Sequence, residues 1–183
     1  MKLLLLFVFM WATVLNGALA AGRGMVPYLD YSVFRPTDKT LSITDVATPT
    51  KEDEEYDIDK DAFEKAMIET LKKSGLFRRI SKDTAGDYDL QYELKTAQVG
   101  GSSAFIGPAI GNLDTVILFV RYVFVETKTK RIIWKQNVLS QRTSKGTKID
   151  YAKDAAAREN LTRLVEGVSE TLTAESKTPF PSK

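Results

Sequence analysis

Three stretches of this sequence gather residue types that could do chemistry. Asp57-x-Asp59-x-Asp61 sets carboxylates at alternate positions, as the start of a calcium loop does. An EF-hand loop counted from Asp57 needs a glycine at its sixth position and a bidentate Glu at its twelfth. Ala62 and Ile68 stand there, and Glu69 comes one residue late. The same acids suit a helix start, where carboxylates cap free N–H groups and face the positive end of the dipole. The second stretch is the glycine-rich run 99–112, VGGSSAFIGPAIGN. It lacks the spacing and the Lys-Ser/Thr ending of a phosphate-binding loop. It reads as a loop whose apolar tip, Phe105 and Ile106, either touches a partner or folds back on the core. The third stretch is basic: residues 121–148 hold eight Lys or Arg, including Arg121 and Lys135, against Glu126 alone.

The absences are as informative. The 183 residues include no Cys and no His. That removes thiol and Ser-His-Asp nucleophiles, zinc-thiolate and imidazole metal sites, disulfides and a lipid-modified cysteine. No Ser-x-x-Lys pair occurs. The acids cluster in a linker and on one strand face, not in an apolar recess that would tune their pKa values. With 26 bases against 24 acids, the chain also lacks the strongly basic balance of a nucleic-acid binder. The expectation is a protein that is not an enzyme, with no cofactor, no metal, no nucleic-acid partner and no identified small-molecule substrate.

The N-terminus carries an address. Lys2 precedes an apolar run from Leu3 to Leu15, Asn16-Gly17 breaks it, and Ala18-Leu19-Ala20 is a small-x-small cleavage site. This is the pattern of a secretory signal peptide, residues 1–20; the competing reading is an uncleaved anchor. Ala21-Gly22 stands where a lipoprotein signal places its Cys. The sequence therefore predicts an exported protein that is not lipid-anchored.

Residues 21–58 read as an irregular segment with one short strand at 40–46 and an acidic linker after it. A core domain follows over 59–172. Its first helix has Asp59 as cap, an apolar stripe of Phe63, Ala66, Met67 and Leu71, and Gly75 as a left-handed stop. Strands follow at 77–80, 87–95, 114–126 and 130–142, then a helix over 150–172 and a disordered tail over 173–183. Tyr88, Leu90, Tyr92 and Leu94 alternate with polar residues, which predicts a strand buried on one face. The order β-α-β-β-β-β-α predicts an α+β fold with two helices packed on one face of a mainly antiparallel four- to five-stranded sheet. In the hairpin, a three-residue turn at Thr127–Thr129 pairs Phe124 with Ile132 and Tyr122 with Trp134. It also sets Arg121 opposite Lys135 on the outer face. That basic pair serves either an anionic surface, such as lipid headgroups, or internal neutralisation by Asp87, Asp89 and Glu93 of a neighbouring strand. Neutralisation is the simpler reading, because surface charges are mostly solvated and locally balanced.

With these elements placed, the sequence resembles a group of small bacterial envelope lipoproteins. Phe63-Glu-Lys-Ala-Met-Ile-Glu-Thr-Leu-Lys-Lys-Ser-Gly-Leu-Phe77 is similar to their helix followed by L-x-x-S-G-L-F. Asp87-Tyr-Asp-Leu90 matches their A-D-Y-x-L strand. Tyr122-x-Phe-x-Glu-x-Lys-Thr-Lys-Arg-Ile-Ile-Trp134 matches their hairpin, with Lys130 in place of its glycine. The signatures recur in ABC-type transport auxiliary lipoproteins, curli-pore and penicillin-binding-protein-activator lipoproteins, and the N-terminal domain of the Tol-Pal β-propeller protein. The resemblance implies a shared fold and no catalytic residues. It points to a non-catalytic periplasmic accessory protein of an envelope transport or assembly system, acting on an envelope protein partner. The alternative is a soluble periplasmic carrier of a lipid or other apolar ligand.

Overall fold

The computed structural model describes residues 23–46, 58–101, 113–145 and 148–177. The stretch read as a signal peptide, the acidic run at 51–57 and the tip residues Phe105 and Ile106 lie outside them. The elements run β1 (Thr40–Asp45), α1 (Lys60–Ser74), β2 (Arg79–Ser81), β3 (Tyr88–Gly101), β4 (Leu113–Glu126), β5 (Arg131–Lys145) and α2 (Ile149–Lys177). Short 3-10 turns at Arg23–Met25 and Tyr31–Val33 precede them. Among the described residues, no helix is long and apolar enough to cross a membrane.

α1 forms for the reasons its sequence gives. The Asp59 carboxylate accepts from the Asp61 and Ala62 amides at 2.9 and 3.1 Å, so this acid caps a helix. Phe63, Ala66, Met67 and Leu71 are buried along one stripe, each large side chain contributing ~1.5–3 kcal/mol. Gly75 stops the helix at φ 65°, with its N–H bonded to the Lys72 carbonyl. α2 buries Ala157, Leu161, Leu164, Val165, Val168 and Leu172. It runs to Lys177, so residues 173–177 of the segment read as a disordered tail are helical.

The sheet has the order β2-β1-β3-β4-β5 and is mixed. β1 pairs parallel to both β2 and β3, whereas β3–β4 and β4–β5 are antiparallel. Along β3 and β4, Tyr88, Leu90, Tyr92, Leu94 and Val116, Leu118, Val120, Tyr122, Phe124 form the buried inner face under the helices. β3 continues past the expected end at Lys95 to Gly101, which pairs with Leu113.

The β4–β5 hairpin corrects the expected register. The connection has four residues, Thr127 to Lys130, and the Lys130 amide closes it by donating to the Glu126 carbonyl at 2.9 Å. Glu126 then pairs with Arg131, Val125 with Ile132 and Phe124 with Trp134, so a bulge leaves Ile133 without an opposite residue. Ile132 turns outward at 60% exposure instead of joining Trp134 on the inner face. Beyond the bulge Arg121 faces Asn137, and Lys135 faces Val123, so the two bases are not directly opposed. Lys130 occupies the left-handed region at φ 61°, where a side chain costs ~1 kcal/mol. Lys130→Gly is expected to raise the melting temperature by about 2–4 °C in thermal denaturation.

Candidate functional site

The two faces of the sheet differ in kind. On the inner face, three phenols cross the apolar layer and donate to the helices. Tyr122 Oη donates to Asn160 Oδ1 at 2.6 Å, Tyr92 Oη to Glu64 Oε2 at 2.6 Å, and Tyr88 Oη to Glu175 Oε2 at 3.2 Å. Burial raises all three phenol pKa values, that of Tyr88 to about 12. These groups stay protonated donors at neutral pH and tie sheet to helix; none is placed as a base. Trp134 stacks near Tyr122 and lies against Gly167 of α2, where an added Cβ would meet the indole at 2.5 Å.

Glu64 holds the most connected of these links. It accepts from Tyr92 and pairs with Lys82, and its side chain is only 13% exposed. Burial alone would raise its pKa; the bonds from Lys82 and Tyr92 outweigh burial and hold it below the usual range. A lowered carboxylate pKa stabilises the fold fully above the ordinary Glu value of about 4.3, and that stabilisation disappears as pH falls through the folded value. Glu64→Gln is therefore expected to lower the melting temperature more at about pH 7 than at about pH 3, read by circular dichroism.

Among the described residues, no helix lies over the outer face. Next to β1, Asp89 Oδ1 accepts from Ser42 Oγ and Thr44 Oγ1 at 2.9 and 2.8 Å, fixing the parallel pair β1–β3. Arg121 lies opposite Glu93 in β3 and reaches its carboxylate at 3.9 Å, so the neighbouring strand does neutralise it. Lys135 is exposed on the same face. Further along, Phe119 pairs with Leu139, which is 57% exposed, and Ile117 follows two residues away on β4. β5 has a strand neighbour on one side only, and Arg131, Lys135 and Arg142 sit along it. Charges of this kind guard an edge strand against indiscriminate pairing.

Sequence reasoning placed Arg121 and Lys135 on this face but missed Phe119 and Leu139. The signal was present: Ile117 and Phe119 share the alternation phase of Arg121, so they cannot lie on the inner face with Leu118 and Val120. Among the described residues, no three acidic side chains converge as a metal site.

No protein-family model matches this sequence, and no curated protein matches it. Solved structures do resemble it. A Xanthomonas campestris protein from a family of unknown function superposes with a TM-score of 0.57 at 15% identity, over 84% of this chain and 95% of that one. Lipoprotein B from Nitrosomonas europaea gives 0.56 at 9% identity, over 76% and 87%. A Helicobacter pylori homologue of a neuraminyllactose-binding hemagglutinin gives 0.52 at 12%, over 82% and 92%. The chain shares their fold. At these identities the likeness reaches no further than architecture, in agreement with the α+β fold of the envelope lipoproteins that the sequence resembles. The Nitrosomonas neighbour is described as a lipoprotein, a statement about that protein. This sequence holds no cysteine to acylate.

Proposed function

We propose that this chain is a non-catalytic accessory protein of a bacterial cell envelope, acting in the periplasm by binding an envelope protein through the open face of its sheet. The carrying observation is the Phe119–Leu139 pair beside Ile117, on a face that no helix among the described residues covers and next to an edge strand of 15 residues. An exposed Leu139 beside half-buried Phe119 and Ile117, rimmed by Arg121, Glu93 and Lys135, has the usual anatomy of a protein-contact surface. The bacterial fold neighbours and the secretory pattern of residues 1–20 support the address. The carrier reading has less support, because the layer where an apolar ligand would sit is filled by the protein's own Phe63, Tyr92, Tyr122 and Phe124, all 0% exposed.

The test is affinity purification from a solubilised envelope fraction with the tagged chain and a Phe119→Ser/Leu139→Ser variant. The proposal expects a defined envelope protein with the parent chain and its loss with the variant, while the variant's circular dichroism spectrum stays the same. Equal recovery with both would refute the assignment of this face.

A further inference from the structure

We propose that the end of the molecule where β1, β2, β3 and β5 begin and β4 finishes is a docking surface for an anionic lipid bilayer. The topology gathers at this end bases that lie far apart in sequence. The Arg78 amide donates to the Lys39 carbonyl at 2.9 Å, and Arg79 pairs with Thr40 at the sheet edge. Lys39 and Lys128 line one cleft of about 270 Å³ between residues 86–88 and 126–128. Lys130 and Arg131 complete the row at the hairpin. All six side chains are exposed.

Four acids at this end, Asp38, Asp87, Glu126 and Glu175, offset the six bases only in part. Asp87 Oδ2 accepts from both the amide and the hydroxyl of Thr40 at 2.8 Å, and those bonds, with the charges of Lys39 and Arg78, hold its carboxyl below the usual range. Glu126 accepts from Thr129 and pairs with Arg131, and Glu175 accepts from Tyr88 and pairs with the same arginine. One base thus serves two acids. Lys39, Arg78, Arg79, Lys128 and Lys130 have no ion-pair partner among the described residues. In the cleft wall, Thr127 Oγ1 is a buried hydroxyl without a hydrogen bond. At the opposite end α1 begins with Asp59 and Asp61, Lys60 pairs with Asp45, and β5 finishes with Arg142 and Lys145, so acids and bases are mixed there.

A row of exposed cations without ion-pair partners on strand starts and turns suits a flat anionic surface, where each base near the headgroups contributes ~1 kcal/mol. Docked this way, the strands stand away from the bilayer, and the Phe119–Leu139 face points sideways, free for a protein. The choice of a bilayer as the occupant rests on the proposed envelope address; the binding assay does not.

Sedimentation of the full chain with vesicles tests it, using phosphatidylcholine alone and with roughly a third phosphatidylglycerol. Neutral vesicles set the background that the apolar N-terminal run contributes. The expected result is stronger binding to the anionic vesicles, abolished by high salt. A Lys39→Gln/Arg79→Gln/Lys128→Gln/Lys130→Gln variant should bind them more than about tenfold more weakly, whereas Arg121→Gln/Lys135→Gln and Phe119→Ser/Leu139→Ser should bind as the parent does. Equal binding to both vesicle types, or parent-like binding by the fourfold variant, would overturn the proposal. So would loss of binding in the Arg121/Lys135 variant, which would move the surface to the open face. Because the Phe119/Leu139 variant is read separately, failure here leaves the protein-contact proposal standing, and the reverse holds.

Discussion

Asn160→Leu is expected to destabilise the fold by about 3 kcal/mol and lower the melting temperature by roughly 10 °C. Asn160 is fully buried at the centre of α2, and both ends of its amide are used. Oδ1 accepts the Tyr122 phenol at 2.6 Å, and Nδ2 donates to the Val138 carbonyl at 3.2 Å. It thereby joins α2 to β4 and β5 at once. Leucine is close in volume, so the loss is polar: a phenol and a backbone carbonyl are stranded in an apolar layer, each costing ~1–3 kcal/mol. Tyr122→Phe alone strands only Oδ1 and should cost less. The double variant Tyr122→Phe/Asn160→Leu removes both side-chain polar partners and should be more stable than the sum of the single effects predicts. Additive losses across the cycle, measured by chemical denaturation, would show that the bond carries no coupling. The same burial closes the Asn160-Leu161-Thr162 sequon to modification in the folded chain.

Gly86→Val is expected to lower stability by about 3 kcal/mol for a different reason. Gly86 leads into β3 where that strand meets the start of β1. A Cβ there would sit 2.7 Å from the Ser42 nitrogen and the Thr40 carbonyl oxygen, and 2.8 Å from the Leu41 carbonyl carbon. These are backbone atoms, so no rotamer change relieves the contact. β1 is also held between β2 and β3 and cannot simply retreat. The variant must push β1 off β3 and break the hydrogen bonds that Thr40 makes with Asp87. Hydrogen exchange should report faster exchange in residues 40–45 than in α2. Gly86→Ala should do the same to a smaller degree. Unchanged exchange across β1 would show that the contact can be relaxed locally.

Much of this architecture is legible in the residues, and what is not has identifiable causes. Asp59, the Phe63–Leu71 stripe and Gly75 specify α1 locally, because cap, periodicity and stop all act within a few residues. The alternation of Tyr88 to Leu94 likewise gives the inner face of β3. Pairing is another matter: nothing in Leu41 or Ile43 says that β1 inserts between β2 and β3, since parallel partners are chosen by tertiary packing. The hairpin register escaped for a specific reason. Apolar Ile132 and Ile133 fit either alternation phase, and only the four-residue connection with Lys130 in the left-handed region, together with the bulge at Ile133, selects one. Thr173–Lys177 lacks apolar periodicity, yet it is helical where Glu175 meets Tyr88 and Arg131.

The candidate surface was half legible. The run from Val116 to Val125 is almost continuously apolar, the pattern of a strand covered on both faces. Among the described residues two helices cover only one, and on the other Leu139 is exposed and Phe119 half-buried. Arg121 was the marker of that face, and Glu93 explains its charge locally. The basic end, by contrast, is assembled from Lys39, Arg79 and Lys128, whose proximity only the sheet order creates.

Site-specific photo-crosslinking in the native cells tests the central claim most directly. A photoreactive residue at Leu139 should give one discrete adduct with an envelope protein, and one at Val33, exposed on the N-terminal turn away from the sheet's outer face, should give none. No adduct from Leu139, or the same adduct from both positions, would contradict an accessory protein that works through the open face of its sheet.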